Sequence, residues 1–341
     1  FETVKLNYGV DIQNNNKTWF DPVPDTWIKM KDILVFWANK NVDGFRCDMA
    51  EMVPVEFWNW AIPQVKAVNP EIVFIAEIYN PTQYKNYLHT GKFDYLYDKV
   101  QLYDTLRGLI NNQRSANDID VIQKSLEGIN ASMLHFLENH DEQRIASPDF
   151  AGNAWNIIPA MVVSALIDQG PVMIYFGQEV GEPGAGAEGF NGNDGRTTHF
   201  DYWGVPQHQK WMNNGAFDGG LLSDEQKKLR QFYSVLLNIA QKNPAIVNGA
   251  YKTISQSDDV HAFVRVSGEE RLLIVSNFEK KVVPFRLTLT AEDAKFLNLK
   301  VGEVYQATDL LWREKEIVLE NLSLTIDLPA YSSYIFRITN P

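Results

Sequence analysis

The chain has one cysteine, fewer basic than acidic residues, and no long apolar run. Among its 341 residues the single cysteine, Cys47, excludes an intramolecular disulfide framework. Lysine and arginine number 31 against 43 aspartates and glutamates, so the formal net charge of -12 argues against nucleic acid or an anionic membrane surface as a partner. Since no run reaches the roughly 18 apolar residues that cross a bilayer, we predict no membrane span. A neutral polymer is compatible with this charge.

Up to about residue 243 the sequence alternates helical patterns with short apolar runs. Apolar residues between Trp27 and Trp37 recur at spacings of three and four, which predicts a helix over 24–40. Further helices are predicted over 54–68, 81–88, 153–168 and 224–242, and strands over 42–48, 72–77, 93–97, 132–139 and 172–176. Because parallel strands need crossover connections, this alternation predicts a parallel sheet.

Beyond residue 243 the pattern changes to short runs of β-branched and aromatic residues that are separated by Gly, Asn, Asp and Glu. This pattern is typical of a small antiparallel β-sandwich. The predicted strands are 251–254, 262–266, 272–276, 285–289, 317–319, 322–326 and 333–338. We therefore divide the chain into an α/β region, 1–243, and a β-sandwich domain, 244–341.

Two of the predicted parallel strands each end in a carboxylate, and the residues around the two carboxylates differ. On the first strand Arg46 and Asp48 share one face while Cys47 points to the other. An arginine two residues away favours the ionised form of an aspartate, which suits a nucleophile. The second strand is apolar and delivers Glu77 at its end, and an apolar surround favours the protonated form that a general acid requires.

The third acidic strand end is the run Phe136-Leu137-Glu138-Asn139-His140-Asp141. In parallel-barrel enzymes the chemistry takes place where the strands end. Two carboxyl groups on either side of a glycosidic bond can displace the leaving group with retention: one attacks the anomeric carbon, while the other protonates the leaving oxygen. Taken singly, each of these residues has an ordinary structural explanation. Their occurrence together at strand ends favours an active site.

The runs over 44–50 and 136–141, with Glu77 between them, resemble three ordered motifs of the α-amylase family of glycoside hydrolases (family 13). The run 170–179 is similar to the eighth barrel strand of that family. The resemblance implies an α/β fold, a partial TIM-type (β/α)8 barrel with strands four to eight over 1–243, followed by the β-sandwich. The family's first motif has no counterpart here, so we expect the sequence to be the C-terminal part of a longer protein.

Carried over residue by residue, the resemblance assigns roles to the strand-end residues. Asp48 would be the nucleophile and Glu77 the acid/base. Asp141 would stabilise the transition state. Arg46 would keep Asp48 charged, and His140 would hydrogen-bond the sugar.

Further residues near the strand ends have less certain roles. Tyr79 and Trp203 follow strand ends, where a flat ring can stack on a glucose face. Arg196 would either shape the cleft or tie down its loop. Glu138 and Glu142 flank the third motif; contact with substrate is one alternative for them, but we expect them to be exposed surface charges.

The resemblance implies a retaining hydrolase of α-1,4-glucosidic bonds in starch or maltooligosaccharides, acting through a covalent glycosyl–Asp48 intermediate. Its partner would be an α-glucan. The alternatives are an α-1,6-glucosidase or transglycosylase of the same family, or a non-catalytic glycan-binding protein. The chemistry requires no cofactor, and the oxygen-rich run 191–194 lacks a full calcium ligand spacing. The resemblance leaves room for a structural Ca²⁺ in the complete protein. A starch substrate favours a secreted or periplasmic protein, although a cytoplasmic maltodextrin enzyme would carry the same motifs.

Overall fold

The computed structural model describes residues 6–186, 194–197 and 204–340, with only the backbone at 255 and 256. The chain divides into two compact units, and each is described by itself. The first consists of Phe1–Val100 and Ser132–Leu134, and the second of Gln101–Ala131 and His135–Pro341. No helix in the described part of the chain is long and apolar enough to cross a membrane.

The first unit is built around four parallel strands. Its elements are β1 (Val10–Asp11), β2 (Lys17–Thr18), α1 (Asp25–Ala38), β3 (Gly44–Cys47), α2 (Val55–Val68), β4 (Val73–Ala76), α3 (Tyr84–His89), β5 (Tyr95–Tyr97) and β6 (Met133–Leu134). The sheet order is β3-β4-β5-β6, and the register pairs Phe45 with Phe74 and Leu96 with Met133. The predicted parallel sheet is confirmed for these strands.

The helices of this unit bury aromatic side chains, although Trp37, at the end of the apolar stripe predicted on α1, is 49% exposed. Trp27 on α1 and Phe57 on α2 are buried, and their ring centroids lie 5.7 Å apart. Trp58 is also buried, and its indole N–H donates to the carbonyl of Ala50 at 3.1 Å. This contact connects α2 to the turn that follows β3, the strand that carries Arg46.

The second unit contains helices followed by an antiparallel sheet. Its elements are α4 (Asp104–Ile110), α5 (Asn117–Ser125), α6 (Ile158–Leu166), α7 (Pro206–Met212), α8 (Asp224–Lys242), α9 (Pro244–Val247), β7 (Ala250–Gln256), β8 (Val260–Ser267), β9 (Glu270–Asn277), β10 (Val283–Thr288), α10 (Ala291–Phe296), β11 (Val304–Asp309), β12 (Glu316–Glu320), β13 (Ser323–Leu328) and β14 (Ser332–Thr339). Every residue of α6 is buried, as expected for a helix that is apolar on all sides.

Two predicted strands are shorter than their apolar runs. The run 132–139 contributes β6 and a single parallel bridge between His135 and Val172. Within the described chain, this bridge is also the only strand pairing of the run 172–176. Phe136 and Leu137 are buried without ladder pairing. Apolar composition predicts burial here, but it does not determine which backbone groups find strand partners.

The eight C-terminal strands form one antiparallel ladder in the order β10-β13-β12-β11-β14-β9-β8-β7. Phe285 on β10 and Val264 on β8 belong to the same apolar cluster, so the sheet curls around its core. The sequence-based prediction missed β11, because its inward side chains, Tyr305, Ala307 and Asp309, form only a weak apolar alternation. The boundary between predicted domains at residue 243 stays a prediction.

Arg265 on β8 is fully buried at the junction of α6, α9 and the sheet. Its guanidinium donates hydrogen bonds of 2.6–3.1 Å to the carbonyls of Ile167, Ala245, Ile246 and Gly249. Burial lowers the pKa of Arg265 to about 10, although the charge of Asp168 opposes the shift. The side chain therefore joins the end of α6 to the start of the β region.

Candidate active site

In the first unit one arginine contacts both predicted catalytic carboxylates. Arg46 Nη1 donates to Asp48 Oδ1 at 2.5 Å, and Nη2 makes an ion-pair contact of 3.1 Å with Glu77 Oε1. Arg46 Nε donates to the Tyr97 hydroxyl at 3.3 Å. Burial lowers the pKa of the guanidinium, but the hydrogen bonds with Tyr97 and Asp48 and the charge of Glu77 outweigh it and raise the pKa. Arg46 therefore stays cationic beside the two carboxylates.

Glu77 and Asp48 differ sharply in exposure. Glu77 is 3% exposed, whereas the side chain of Asp48 is 75% exposed. The Tyr79 hydroxyl donates to Glu77 Oε1 at 2.7 Å, and the Met49 N–H donates to Oε2 at 2.8 Å. The expectation of an apolar surround for Glu77 is wrong, because the carboxylate lies beyond the apolar strand and meets these donors and Arg46.

The turns after β3 and β4 are hydrogen-bonded to each other. Met49 has left-handed backbone angles (φ 44°, ψ 42°), an uncommon conformation for a residue other than glycine. This conformation accompanies the hydrogen bond from its N–H to Glu77. The Glu51 carboxylate accepts from the N–H groups of Tyr79 and Asn80 at 3.2 and 3.1 Å. These contacts hold the ends of the two strands together.

Tyr97, at the end of β5, is a site residue that the sequence-based prediction missed. Its hydroxyl accepts a hydrogen bond from Arg46, and its ring centroid lies 5.1 Å from the guanidinium carbon of Arg46. The only sequence signal was its place at the end of a weakly predicted strand. For Tyr79 the structure shows a hydroxyl contact with Glu77, while its stacking on a sugar stays a prediction.

In the second unit a short turn presents His140 and Asp141. His140 Nε2 lies 3.2 Å from Asp141 Oδ2, and the Asp141 side chain is 42% exposed. The side-chain oxygen of Asn139 accepts from the N–H groups of Asp141 and Glu142, both at 2.9 Å. The asparagine of the motif therefore shapes the backbone from which the histidine and the aspartate project.

The expectation that Glu138 is an exposed surface charge is wrong. Glu138 is 1% exposed, and its carboxylate accepts from Arg144 Nη1 at 2.8 Å and from the Ile145 N–H at 2.6 Å. Burial raises the pKa of Glu138, and Arg144 and the Ile145 N–H oppose that rise only in part. A buried carboxylate is tolerated where a cation and hydrogen bonds satisfy it. The sequence offered no signal that Arg144 would be that partner.

The expectation that Glu142 is an exposed surface charge is also wrong. Its side chain is 14% exposed, and Oε2 accepts from Arg107 Nη1 at 3.1 Å and from the Tyr103 hydroxyl at 3.0 Å. Burial, followed by the charge of Glu142, raises the pKa of Tyr103 well above its usual value. Glu142 therefore anchors the turn to α4 and the residue before it.

The other predicted site residues are only partly described. Arg196 Nη2 lies 2.9 Å from Asp194 Oδ2, and the Arg196 backbone forms a bridge with Gln143. These contacts fit the alternative in which Arg196 ties down its loop. Trp203 lies outside the described residues, as do 191–193. Across the described chain, no group of three or more His, Cys, Asp or Glu side chains is arranged to hold a metal ion.

Comparisons with known proteins find relatives of this chain. The chain is 21% identical over 323 residues to a cyclomaltodextrinase of Geobacillus thermopakistaniensis, covering 92% of this chain and 48% of that protein. It is 25% identical over 274 residues to alpha-amylase 3 of Dictyoglomus thermophilum, covering 74% and 53%. The chain thus spans about half the length of these curated relatives.

The fold likewise matches a solved structure. The alpha-amylase of Geobacillus thermoleovorans complexed with acarbose superposes with a TM-score of 0.68 at 18% identity, covering 95% of this chain and 66% of that one. This likeness confirms the predicted fold class, a partial TIM-type barrel followed by a C-terminal antiparallel β domain. The family model for the alpha-amylase catalytic domain matches residues 22–249. The chain belongs to the alpha-amylase catalytic domain family.

Proposed function

We propose that the protein containing this chain hydrolyses α-1,4-glucosidic bonds in starch or maltooligosaccharides, with retention at the anomeric carbon. One observation carries the proposal: a single cationic side chain, Arg46, contacts an exposed carboxylate, Asp48, and a buried one, Glu77. Two carboxyl groups in unequal environments are what a double displacement at a glycosidic bond requires. The relatives named as a cyclomaltodextrinase and an alpha-amylase support the substrate class.

In the first step Asp48 attacks the anomeric carbon while the bond to the glycosidic oxygen breaks. Glu77 donates a proton to that oxygen, and a covalent glycosyl–Asp48 intermediate forms. In the second step Glu77 takes a proton from water, whose oxygen attacks the anomeric carbon and releases Asp48. Arg46, which donates to Asp48 Oδ1 at 2.5 Å, orients this carboxylate at the start and at the end of this cycle.

The motif resemblance assigns Asp141 and His140 to the sugar ring. Asp141 would stabilise the positive charge that develops on the ring in the transition state, and His140 would donate a hydrogen bond to a sugar hydroxyl. The half-exposed carboxylate of Asp141 and the turn that Asn139 shapes support this assignment.

The decisive experiment is reducing-sugar release from soluble starch by the full-length protein and by its Asp48→Asn variant. We expect turnover by the native protein and its loss in the variant, because asparagine cannot form the ester intermediate. Asp43→Asn, an exposed aspartate just before β3, is the matched control and should retain activity. Near-normal turnover by Asp48→Asn would contradict the assignment of Asp48 as the nucleophile.

Substrate choice separates the alternatives within the family. Starch, pullulan, isomaltose and maltose are compared, and the products are analysed for linkage and for chain lengthening. Cleavage of α-1,6 bonds would identify an α-1,6-glucosidase. Formation of products longer than the substrate would identify a transglycosylase. Binding of starch without turnover would support a non-catalytic glycan-binding protein.

A further inference from the structure

The loop 138–145, which carries His140 and Asp141, is closed at its base by a buried ion pair. Arg144 is 0% exposed, and its Nη1 donates to Glu138 Oε2 at 2.8 Å. The N–H of Ile145 donates to the other oxygen of the same carboxylate at 2.6 Å. The first residue of the loop therefore contacts its last two residues, and the conformation between them is confined.

The same arginine fastens the loop to two other segments of the second unit. Arg144 Nε donates to Thr197 Oγ1 at 2.8 Å, and Nη1 also donates to the carbonyl of Phe176 at 2.9 Å. The backbone N–H of Arg144 donates to the carbonyl of Gly195 at 2.7 Å. The guanidinium carbon lies 4.2 Å from the ring centroid of Tyr175. These contacts come from several directions and specify one position for the loop.

Stability alone is a poor reason to keep such a pair. Burying two charges is costly, and an apolar pair of similar volume often stabilises a fold equally well. The hydrogen bonds of a planar guanidinium are directional, so they select one geometry of the loop among several, whereas apolar packing is not directional. Since Glu138 and Arg144 are both nearly inaccessible, they act on the reaction through the loop and not through contact with a sugar.

We propose that Arg144, together with Glu138, is a positioning residue that places Asp141 and His140 for glycoside cleavage. The inference rests on the proposed function, in which those two residues act on the sugar ring. A displacement of a reacting group by about 1 Å can cost about 10²-fold in rate. Arg144 therefore controls the catalytic rate constant more than it controls affinity for the ground state.

The test is the double variant Glu138→Leu/Arg144→Met, which replaces the ion pair with apolar side chains. We expect it to fold, with a melting temperature above the assay temperature, while kcat falls about 10²-fold and KM changes little. Arg144→Lys keeps the charge opposite Glu138 but loses the donor to Thr197, and kcat should fall about tenfold. Arg230→Met, an exposed arginine on α8, is the control and should retain native kcat.

A purely structural role would give a different result. If both variants keep native kcat, or if their lost activity follows the unfolded fraction, the positioning role is overturned. Should the double variant fail to fold, the kcat of Arg144→Lys decides in the same way: a tenfold loss supports the role, and a native value overturns it.

Hydrogen exchange separates this inference from the proposed function. If the native protein cleaves no α-glucan, the proposed function fails, and amide exchange decides whether the loop is held as inferred. In either folded variant the amides of 138–145 should then exchange faster while α8 exchanges as in the native protein. Unchanged exchange across the loop would show that Arg144 does not hold it.

Discussion

The arginines Arg46 and Arg265 occupy opposite environments in the two units. Arg46 is 26% exposed and contacts two carboxylates and a tyrosine hydroxyl. Arg265 is fully buried and donates to backbone carbonyls. The pKa of Arg46 is raised, whereas burial lowers that of Arg265 to about 10. Carboxylates in direct contact neutralise a guanidinium, while carbonyls satisfy its donors without supplying a countercharge.

This difference separates two uses of one residue type. Beside Asp48 and Glu77 the charge itself is needed, because the carboxylates change charge during the proposed reaction. At the junction of α6, α9 and β8 the donors are needed, because buried carbonyls without partners are costly. Loss of Arg46 should therefore appear in rate, and loss of Arg265 in stability.

Replacing Arg46 with methionine should reduce kcat about 10³-fold, equivalent to about 4 kcal/mol of barrier. The cation beside Asp48 and Glu77 is removed, while the donors that Glu77 keeps, the Tyr79 hydroxyl and the Met49 N–H, limit the loss of stability. Steady-state kinetics on maltooligosaccharides with the full-length protein, alongside thermal unfolding, measures both effects. Arg286→Met, an exposed arginine on β10, is the control. A kcat within tenfold of the native value would contradict a role of Arg46 in the proposed reaction.

Replacing Arg265 with methionine should lower the free energy of unfolding by about 3–4 kcal/mol, since several buried carbonyls lose their donor at about 1 kcal/mol or more each. Activity per folded molecule should be unchanged. Urea unfolding of Arg265→Met beside Arg286→Met measures the difference. A loss below about 1 kcal/mol, or a selective fall in kcat, would erase the contrast between the two arginines.

The burial of His261 on β8 predicts a pH dependence of stability in the same region as Arg265. Burial lowers the pKa of His261 to about 4, although the charge of Asp120 opposes the shift. Because the unfolded chain binds the proton near pH 6.5 and the folded protein does not, stability should fall as pH drops from about 6.5 to 4, by about 3 kcal/mol at most.

The measurement is the free energy of unfolding at intervals across that pH range, for the native protein and for His261→Gln. The variant has no titrating group at this position, so the component due to His261 should vanish. An identical pH profile for both proteins would show that His261 is not held neutral by burial.

The smallest effect is expected at Cys47, which lies between Arg46 and Asp48 in sequence. It is buried, and burial raises its pKa to about 12, although the charge of Arg46 opposes the shift. A thiol-specific reagent at pH 8 should leave the native protein unlabelled and modify one thiol after denaturation. Rapid labelling of the native protein would contradict the alternation of faces along β3.

Local patterns were sufficient to predict the strand-end carboxylates. The alternation along β3 placed Arg46 and Asp48 on one face and Cys47 on the other, as burial of Cys47 bears out. The bounds of α8, Asp224–Lys242, also agree with the helix predicted over 224–242. These features depend on residues close in sequence.

Features that depend on distant residues were not predicted. Glu138 was assigned to the surface because its partner, Arg144, is recognisable only after the loop closes. Glu77 was assigned an apolar surround because the donors Tyr79 and Met49 reach it through turns whose shape the sequence does not reveal. β11 pairs with β12 and β14, and its own side chains form a weak pattern.

By itself the sequence determined the type and order of most elements and the positions of Asp48 and Glu77 at strand ends, because periodicity and motif spacing are local properties of the chain. Tertiary structure decided which charges are buried and what satisfies them. The surroundings of Arg46, Arg144 and Arg265 include groups supplied by other segments, so burial and hydrogen bonding, and with them the use of each charge, arise only when those segments meet.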